Sequence, residues 1–317
     1  MRLAAEHVRV RVPATSANLG PGFDAIGVAL CLYDEIEVRA VSVPDAQVEV
    51  TGEGAGDVPT GEEHLVVRAI REGLDHAGAS QVGLRLTCVN RIPHGRGLGS
   101  SAGAVVAGLL AARALVAEPD ALDDETLLVL ATAMEGHPDN AAPALLGGVT
   151  LAWTDEAVRA VRLPVHPDLV PVAIVPPHQL STRTARAALP LQVPHADAAF
   201  QAGRAALLVE ALGRRPDLLL PATEDRLHQQ YRRTVMPDSL ALVDALRRNG
   251  VAAVVSGAGP TVLALTRRRD GGPHGLLSTD ADAAITAAFG GVMAGWRVLP
   301  LPVDTAGAVV ERAVDAP

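Results

Sequence analysis

The pattern of apolar and polar residues predicts strands and helices along most of the chain. Residues 8–12 alternate apolar and basic side chains, which predicts a half-buried strand that Pro13 ends. Residues 65–74 repeat apolar side chains at helical spacing, and residues 83–92 return to the alternation of a strand. The apolar run 104–116 predicts a buried helix. A strand, a glycine-rich stretch and a buried helix therefore follow one another.

The remaining elements follow from the same two periods. Further strands are predicted at residues 34–40, 47–54, 149–153, 169–176, 251–255, 262–265 and 296–301. Further helices are predicted at residues 126–134, 196–212, 218–233, 237–249 and 279–289. Polar residues 154–156 mark the expected boundary between a domain of residues 1–155 and a domain of residues 156–317.

Length and composition indicate a large globular protein. At 317 residues and 32.7 kDa, the chain exceeds the usual size of a single core, so two domains or one large domain are expected. Hydrophobic residues make up 49% and charged residues 20%, which leaves ample small aliphatic side chains for a core. Because the net charge is −9 and only residues 267–269 form a run of three basic side chains, we expect no general nucleic-acid surface.

The sequence shows no targeting or membrane-spanning signal. Its first seven residues lack the apolar region of a signal peptide, and no uninterrupted apolar run reaches the length of a bilayer span. Cys31 and Cys88 lie far apart in apolar or strand-like surroundings, which favours buried free thiols over a disulfide. We therefore expect a cytoplasmic protein with no membrane partner.

The stretch from Pro93 to Gly103 is the central chemical feature of the sequence. It reads Pro-His-Gly-Arg-Gly-Leu-Gly-Ser-Ser-Ala-Gly and leads into the predicted buried helix. Glycines bring bare amide N–H groups close to a ligand, and the first turn of a helix adds unpaired amides and the positive end of its dipole. A triphosphate suits such a cradle, although the stretch is neither a Walker A loop nor a dinucleotide fingerprint. Glycine-rich turns before helices are also simple connections, and the residues alone leave both interpretations open.

A predicted loop and a predicted helix start carry further candidate site residues. In the loop of residues 14–24, Asn18 and Asp24 either cap local backbone or hydrogen-bond a small polar substrate. Arg183 and Arg186 are either surface cations or carboxylate clamps, because a guanidinium binds a carboxylate through two parallel hydrogen bonds. The residues alone do not decide between these roles.

The end of the helix at residues 126–134 carries four candidate side chains within six residues, Glu135, His137, Asp139 and Asn140. Pro138 interrupts the helix, so the group need not be a regular solvated face. Glu135 is either an exposed helix end or a Mg²⁺ ligand, since Mg²⁺ on phosphate substrates commonly uses one carboxylate together with a hydroxyl and waters. His137 alone is more often a capping or buried neutral imidazole.

Three ordered motifs make the chain resemble the homoserine kinase family of the GHMP small-molecule kinase superfamily. Residues 93–102 match the superfamily's phosphate loop, P-x-x-x-G-L-G-S-S-A, and residues 256–261 match its C-terminal glycine motif. Residues 13–24 look like the N-terminal signature of homoserine kinases, and that family's pattern is also matched at residues 135–140, 181–186 and 231–232. The resemblance covers nearly the whole chain.

The resemblance implies a fold class and a set of ligands. The expected fold is α+β and has two domains, an N-terminal domain similar to the second domain of ribosomal protein S5 and a C-terminal ferredoxin-like domain, with the ligands between them. The implied reaction is phosphoryl transfer from ATP, with Mg²⁺, to the side-chain hydroxyl of L-homoserine, a step of threonine biosynthesis. The implied partners are these small molecules and a second copy of the chain in a homodimer.

The resemblance also implies roles for individual residues. The ATP cradle is expected to consist of Pro93, Gly95, Arg96, Gly97, Leu98, Gly99, Ser100, Ser101 and Ala102. Mg²⁺ is expected on Ser100 and Glu135. The expected substrate site consists of Asn18, Asp24, His137, Asp139, Asn140, Thr182, Arg186, Arg232 and Gly259, and its catalytic members are Asn18, Asp24, Asp139, Asn140 and Arg186. Positioning and charge neutralisation supply most of the rate in phosphoryl transfer, so we hypothesise catalysis without a dedicated base.

Two alternatives stay open beside this interpretation. The first is another GHMP kinase, acting on mevalonate, a sugar or a diphosphocytidyl alcohol; paired arginines with paired acidic residues favour a zwitterionic amino acid instead. The second is a non-catalytic nucleotide-binding relative, against which the presence of Glu135 and of the loop serines argues. The chain departs from the family pattern in the bulk and charge of His94 and Arg96, in Gly103, and in residues 233–239, which lack an expected Gly-Phe pair.

Overall fold

The computed structural model describes residues 4–269, 279–289 and 294–312. Its strands are β1 (His7–Asn18), β2 (Gly22–Val41), β3 (Ala46–Gly52), β4 (Gly83–Asn90), β5 (Val149–Thr154), β6 (Val158–Leu163), β7 (Leu169–Val175), β8 (Ala252–Val255), β9 (Val262–Arg267), β10 (Arg297–Pro300) and β11 (Val309–Arg312). Its α-helices are α1 (Leu65–His76), α2 (Ser100–Leu115), α3 (Asp124–Glu135), α4 (Ala141–Leu146), α5 (Thr182–Ala187), α6 (His195–Gly213), α7 (Leu219–Ala222), α8 (Pro237–Arg248) and α9 (Asp282–Phe289). The α+β class expected from the sequence is confirmed.

A sheet of seven strands organises the N-terminal half. Its main path runs β11-β1-β2-β4-β3, and β5 with β6 extends from the first part of β2. Strands β3 and β4 are parallel and are joined by α1 as a crossover, whereas the other pairs are antiparallel. The 20-residue β2 pairs with β5 through residues 26–28 and with β4 through residues 35–41, so one long strand serves both parts of the sheet.

Strand β1 continues past Pro13, and the prediction that this proline ends it is wrong. The register with β2 shifts directly after Pro13, where the partner changes from Tyr33 to Leu30. A bulge tolerates a residue without an N–H because the hydrogen-bond ladder is already interrupted there. The predicted loop at residues 14–24 is consequently much shorter, since β1 and β2 leave only residues 19–21 between them.

The C-terminal half is organised around an antiparallel sheet of four strands in the order β10-β7-β9-β8. Along the chain these are the fourth, first, third and second strands of the sheet, with helices between the first and second and between the third and fourth. This is the ferredoxin-like arrangement. The expected ferredoxin-like C-terminal domain is therefore confirmed.

The predicted helix over residues 218–233 is wrong. In this segment only α7, the short 3₁₀ helix Gln230–Thr234 and the last residue of another, Pro216–Leu218, are helical. The carboxylate of Asp225 accepts the backbone N–H groups of His228 and Gln229 at 3.1 and 2.7 Å, and such side-chain bonds compete with helical ones.

Two strands that the sequence pattern does not predict join the N-terminal sheet. Strand β6 follows the predicted boundary and pairs with β5, and β11 pairs with β1. Neither strand has a fully buried face, so its apolar alternation is weak. The division of the chain after residue 155 stays a prediction, and the sheets do not follow it because β6 and β11 both lie beyond that residue.

Three groups of buried apolar side chains form the interior. One lies between the N-terminal sheet and helices α1 to α4, and another lies between the C-terminal sheet and α8. The middle group combines Leu19 and Leu98 from the N-terminal half with Leu208 and Leu263 from the C-terminal half. This middle group is the apolar contact between the two halves of the molecule.

Helix α2 is buried on nearly all sides, as its continuous apolar sequence predicts. Gly108 of α2 approaches α1 so closely that a Cβ atom would lie 2.5 Å from the carbonyl oxygen of Val66 and 2.6 Å from Cβ of Ala69. The close crossing holds α2 in place, and with it the glycine-rich loop that precedes its first turn.

Among the residues that the structure describes, no helix has both the length and the apolarity needed to cross a membrane. Cys31 and Cys88 are free thiols, as predicted. Cys88 is buried and Cys31 is half-buried.

The packing of Gly108 predicts a stability difference between two glycine substitutions. Gly108→Ala should lower the free energy of unfolding by about 1–3 kcal/mol, because the added methyl group overpacks the α1–α2 crossing. Gly203→Ala in α6 should raise it by roughly 0.5–1 kcal/mol, because this exposed helical position has no atom within 4 Å of the new Cβ. Urea unfolding of both variants measures the difference, and equal effects would contradict the packing.

Candidate active site

A cavity of about 550 Å³ lies between the two halves of the molecule. Its walls include nearly all of the residues that the sequence singles out: Asn18, Asp24, Pro93, Gly95, Arg96, Gly97, Leu98, Gly99, Ser100, Ser101, Ala102, Glu135, His137, Asp139, Asn140, Thr182, Arg186 and Arg232. Gly259 does not line the cavity, whereas Gly257 and Ala258 of the same turn do. Segments far apart in sequence therefore meet at one site.

The glycine-rich loop between β4 and α2 has the backbone conformation of an anion cradle. Gly95, Gly97 and Gly99 adopt positive φ angles of 63°, 74° and 69°, which side-chain-bearing residues rarely adopt. Gly99 is the N-cap of α2, and no side chain caps the helix there. The first turn of α2 thus lies in the cavity wall, and its backbone amides have no intrahelical partner. An anion site at a helix N-terminus requires such unpaired amides.

Two of these glycines also permit close backbone packing. A Cβ atom on Gly97 would lie 2.3 Å from the carbonyl oxygen of Ser256, and one on Gly99 would lie 1.9 Å from Oγ1 of Thr15. Ser256 Oγ donates to the carbonyl oxygen of Gly97 at 2.5 Å and lies 2.7 Å from Oγ of Ser16. The glycine-rich loop, β1 and the turn of residues 256–261 are consequently in direct contact.

Arg96 has a structural role that the sequence does not indicate. Its guanidinium donates to the carbonyl oxygens of His94, Pro176 and Pro177 at 3.1, 3.0 and 2.8 Å. These bonds tie the glycine-rich loop to the end of β7. The expected contact of Arg96 with a nucleotide stays a prediction.

Glu135 and a loop serine form the pair of oxygen donors expected for Mg²⁺. Ser101 Oγ donates to Oε1 of Glu135 at 2.6 Å, whereas the sequence-based expectation names Ser100. Burial raises the pKa of Glu135, and the hydrogen bond from Ser101 opposes this shift. No cluster of three or more His, Cys, Asp or Glu side chains able to hold a metal occurs in the described part of the chain. One carboxylate and one hydroxyl still fit Mg²⁺ that is bound mainly by phosphate and water oxygens.

The polar tail of α3 forms a hydrogen-bonded chain that reaches β1. His137 Nδ1 lies 2.7 Å from Oδ1 of the buried Asp139, and this bond raises the pKa of His137. Asn140 Oδ1 accepts from Thr15 Oγ1 at 2.9 Å, and Asn140 Nδ2 lies 3.4 Å from Oδ1 of Asp139. Asp139 is thereby held in a fixed orientation beside the cavity.

Asp24 and Arg186 form a bidentate ion pair across the cavity. Arg186 Nη2 donates to Oδ1 of Asp24 at 2.7 Å, and Nη1 donates to Oδ2 at 3.1 Å. The bond to Asp24 raises the pKa of Arg186. Both side chains are about a third exposed, 35% for Asp24 and 37% for Arg186. Asp24 and Arg186, both members of the expected substrate site, therefore neutralise each other's charge in this structure.

Arg232 is a buried cation without a carboxylate partner in the described structure. Its side chain is 1% exposed, and it donates to the carbonyl oxygens of Ala185 and Gly257 at 3.2 and 3.1 Å and to Nδ1 of His228 at 3.0 Å. Burial and the nearby Arg186 lower its pKa to about 10, which still leaves it protonated at neutral pH. Asp225, Asp24 and Asp139 act on Arg232 only from a distance, and a fixed guanidinium without a hydrogen-bonded carboxylate among the described residues can receive the carboxylate of a ligand.

Asn18 is occupied by contacts within the protein. Its Nδ2 donates to the carbonyl oxygen of Gly257 at 2.9 Å, and its Oδ1 accepts the backbone N–H of Asp24 at 2.9 Å. The side chain is buried, and the residue itself has a φ of 72°. Asn18 therefore caps local backbone, as one of the two sequence interpretations states, and it also lines the cavity. Its side-chain oxygen and nitrogen both already have partners within the protein.

The cavity wall also contains residues that the sequence does not single out, among them Val58, Pro59, His64, Leu65 and Met134 and the polar residues Asp34, Glu63 and Asn90. The apolar members of this set suit a flat aromatic base. His64 is buried, and its Nδ1 has no hydrogen-bond partner in the structure as described. Burial lowers the pKa of His64. No local motif marks these residues, because they come from separate segments that only the fold brings together.

Comparisons with known proteins agree with this geometry. Residues 64–148 match the GHMP kinases N terminal domain, and residues 198–274 match the GHMP kinases C terminal family. The chain is 53% identical over 305 residues to a curated homoserine kinase of Streptomyces avermitilis, which covers 96% of this chain and 95% of the relative. It is 48% identical over 302 residues to the homoserine kinase of Mycobacterium tuberculosis, which covers 93% of this chain and 92% of the relative.

Solved structures show the same fold. The crystal structure of homoserine kinase from Cytophaga hutchinsonii superposes with a TM-score of 0.81 at 27% identity, covering 98% of this chain and 99% of that one. Mevalonate kinase of L. major, solved with R-mevalonate, superposes with a TM-score of 0.68 at 19% identity, covering 96% of this chain and 98% of that one. The second likeness concerns the fold alone.

The His137–Asp139 pair predicts a measurable titration. Because Asp139 raises the pKa of His137, the imidazole should titrate above its ordinary value of 6.5, and Asp139→Asn should lower the midpoint. The interaction of charged His137 with Asp139 stabilises the fold fully at pH values below the pKa of this histidine in the unfolded protein. The stabilisation is lost as the pH rises through the higher pKa of His137 in the folded protein. NMR titration of the His137 ring measures the midpoint.

The exposed variant Asp45→Asn serves as the control and should leave the His137 midpoint unchanged. A midpoint of His137 that is the same in the wild-type protein and in Asp139→Asn would contradict the interaction.

Proposed function

Since the chain belongs to the GHMP kinase family and to its homoserine kinases, we propose that it transfers the γ-phosphoryl group of ATP to the side-chain hydroxyl of L-homoserine. The products are O-phospho-L-homoserine and ADP, a step of threonine biosynthesis. The observation that carries the proposal is one cavity with an anion cradle at the start of α2 and the unpaired guanidinium of Arg232 in its wall. A nucleotide and an amino acid can therefore occupy the same space.

The two charged ends of the amino acid find complementary groups. Its carboxylate binds the guanidinium of Arg232, which is fixed and has no carboxylate partner among the described residues. Its ammonium group binds Asp24 or Asp139, both of which line the cavity. Its hydroxyl is oriented by Asn140, whose Nδ2 makes only a long contact of 3.4 Å to Asp139, whereas both polar atoms of the Asn18 amide have partners at 2.9 Å.

The ion pair between Asp24 and Arg186 opens when the amino acid binds. Both partners are about a third exposed, and pairs of this kind contribute only about 0–1 kcal/mol, so separating them costs little. The ammonium group of the substrate then replaces Arg186 beside Asp24, and Arg186 joins Arg232 on the carboxylate. Asp24 and Arg186 thus each exchange one ion-pair partner for another, and neither charge is left unpaired.

The reaction depends more on the position of the substrate hydroxyl relative to the γ-phosphate than on a general base. The hydroxyl oxygen of homoserine attacks the γ-phosphorus in line, the bond to the β-γ bridging oxygen breaks and leaves ADP, and the hydroxyl proton passes at a late stage to an oxygen of the transferred phosphoryl group. With the amino acid bound, Asp24 is paired with the ammonium group of the substrate and Asp139 with His137, so neither carboxylate is an unpartnered acceptor. This arrangement supports the hypothesis of catalysis without a dedicated base.

Mg²⁺ is part of the proposal, with Glu135 and a serine of the glycine-rich loop as the protein ligands. Ser101 is favoured over Ser100 because its hydroxyl already bonds the Glu135 carboxylate. A bound Mg²⁺ neutralises phosphate charge and orients the transferred group. The protein would contribute the half-buried carboxylate of Glu135 and the hydroxyl of the loop serine to hold the ion beside the cradle.

The location, oligomeric state and partners of the protein are proposed on the same basis, its membership of the homoserine kinases. We infer a cytoplasmic homodimer whose partners are ATP and L-homoserine, without a nucleic-acid or membrane partner. The net charge of −9 supports the absence of a nucleic-acid surface.

One assay separates the proposed function from its alternatives. ADP release should be rapid with L-homoserine and much slower with L-serine, L-threonine and mevalonate. Turnover with mevalonate alone would favour another GHMP kinase, and tight ATP binding without turnover of any of these compounds would favour a non-catalytic relative.

The carboxylate receptor predicts the effect of a conservative substitution. Arg232→Lys should raise the KM for L-homoserine about 10–100-fold, because a lysine keeps the charge but loses the planar fork of donors. The KM for ATP should stay unchanged. Arg233→Lys is the matched control, since Arg233 pairs with Asp244 and does not line the cavity. A KM for homoserine that is equal in both variants would refute the receptor.

The absence of a dedicated base predicts the behaviour of two carboxylate variants. Asp24→Asn and Asp139→Asn should mainly raise the KM for L-homoserine, and kcat should fall by less than the roughly 10²–10⁴-fold expected for loss of a general base. Steady-state kinetics measures both constants. A variant that keeps its affinity for homoserine but loses nearly all turnover would identify its carboxylate as the base.

A further inference from the structure

His228 lies behind the cavity and is fully buried, and both of its ring nitrogens have partners. Its Nε2 lies 2.7 Å from the carbonyl oxygen of Gly20, and its Nδ1 lies 3.0 Å from Nη1 of Arg232. The imidazole stacks on the ring of Phe23 with 4.9 Å between the ring centroids and 27° between their planes. His228 does not line the cavity and cannot be reached by a ligand there.

These two partners fix the protonation of the ring. A carbonyl oxygen only accepts, so Nε2 carries a hydrogen and donates to Gly20. A guanidinium only donates, so Nδ1 has no hydrogen and accepts from Arg232. His228 is therefore the neutral Nε2–H tautomer. A protonated ring would set an N–H group against an N–H group and place two buried cations 3.0 Å apart.

A neutral imidazole accepts a hydrogen bond from Arg232 without cancelling its positive charge, whereas a carboxylate would cancel it. The bonds to Ala185, Gly257 and His228 occupy Nε and Nη1 of Arg232, while Nη2 has no hydrogen-bond partner among the residues described. An aspartate or glutamate in place of the imidazole would orient the guanidinium equally well but would neutralise it. The imidazole orients Arg232 and leaves its positive charge for the ligand.

The backbone around His228 is itself fixed. The buried Asp225 carboxylate accepts the N–H groups of His228 and Gln229, and its Oδ1 accepts from Nε2 of Gln201 at 2.8 Å. Oδ1 of Asp225 lies 3.6 Å from Nε2 of His228, beyond hydrogen-bond distance. Gly20, the other partner, lies in the turn between β1 and β2. The imidazole therefore links that turn to Arg232.

We propose that His228 is a positioning residue that holds the guanidinium of Arg232 in the orientation needed to bind the substrate carboxylate, by accepting a hydrogen bond as a neutral imidazole. The inference rests on the proposed function, in which Arg232 binds the carboxylate of homoserine. His228 touches neither substrate and acts only through Arg232.

Three substitutions separate positioning from packing. His228→Leu removes both hydrogen bonds, His228→Asn keeps an acceptor close to the position of Nδ1, and His228→Gln keeps a donor close to the position of Nε2. We expect the leucine and glutamine variants to raise the KM for L-homoserine about tenfold or more, as loss of a hydrogen bond to a charged group predicts. The asparagine variant should stay within about threefold of the wild-type KM, on the same scale.

Controls in the same assay exclude a general loss of structure. The KM for ATP should be the same in all three variants, and His166→Asn, at a half-exposed histidine outside the cavity, should change neither KM. Equal KM values for homoserine in the asparagine and glutamine variants would overturn the proposal. A leucine variant with the wild-type KM, or with parallel losses for both substrates, would overturn it as well.

The wild-type protein provides a test that needs no variant to fold. NMR of protein labelled with ¹⁵N in its histidines should show, for His228 at neutral pH, a protonated Nε2 and an unprotonated Nδ1, with the resonance assigned through its bonds to the backbone. The opposite tautomer or a cationic ring would overturn the proposal. If the protein phosphorylates a compound other than homoserine, the proposed function fails while the tautomer of His228 is still decided.

Discussion

The carbonyl oxygen of Gly257 is the contact on which both halves of the site depend. It accepts Nδ2 of Asn18 from the N-terminal half at 2.9 Å and Nη1 of Arg232 from the C-terminal half at 3.1 Å. The neighbouring Ser256 bonds the backbone of Gly97 in the glycine-rich loop, and only a glycine fits there because a Cβ would lie 2.3 Å from the Ser256 carbonyl oxygen. One turn therefore sets the distance between the glycine-rich loop and Arg232, the proposed anion cradle and carboxylate receptor.

Most of the fold could be predicted from periodicity, and the failures share a physical cause. Buried strands and helices such as α2 carry strong apolar patterns, whereas β6 and β11 are half exposed and carry weak ones. Pro13 is tolerated within a strand because a bulge follows it, and the segment around Asp225 avoids a helix because a side chain binds its backbone. These outcomes depend on tertiary contacts, which local propensity does not contain.

The members of the candidate site could be predicted better than their roles. Motif matches name most of the cavity-lining polar residues, but they do not show that the side chains of Asn18 and Arg96 make their hydrogen bonds to the backbone. They also do not indicate the apolar lining residues such as Met134 or the buried His228, because single side chains in unrelated segments carry no spacing signal. The proposed binding depends on local charge: a buried cation attracts an anion even though the chain carries a net charge of −9.

The most direct measurement of the central claim is a crystal structure with L-homoserine and a non-hydrolysable ATP analogue. The account predicts the carboxylate of homoserine on Arg232, the phosphates on the amides of residues 97–101, and the side chains of Asp24 and Arg186 separated from each other. A homoserine bound with its carboxylate away from Arg232, or a triphosphate outside the glycine-rich loop, would contradict the account.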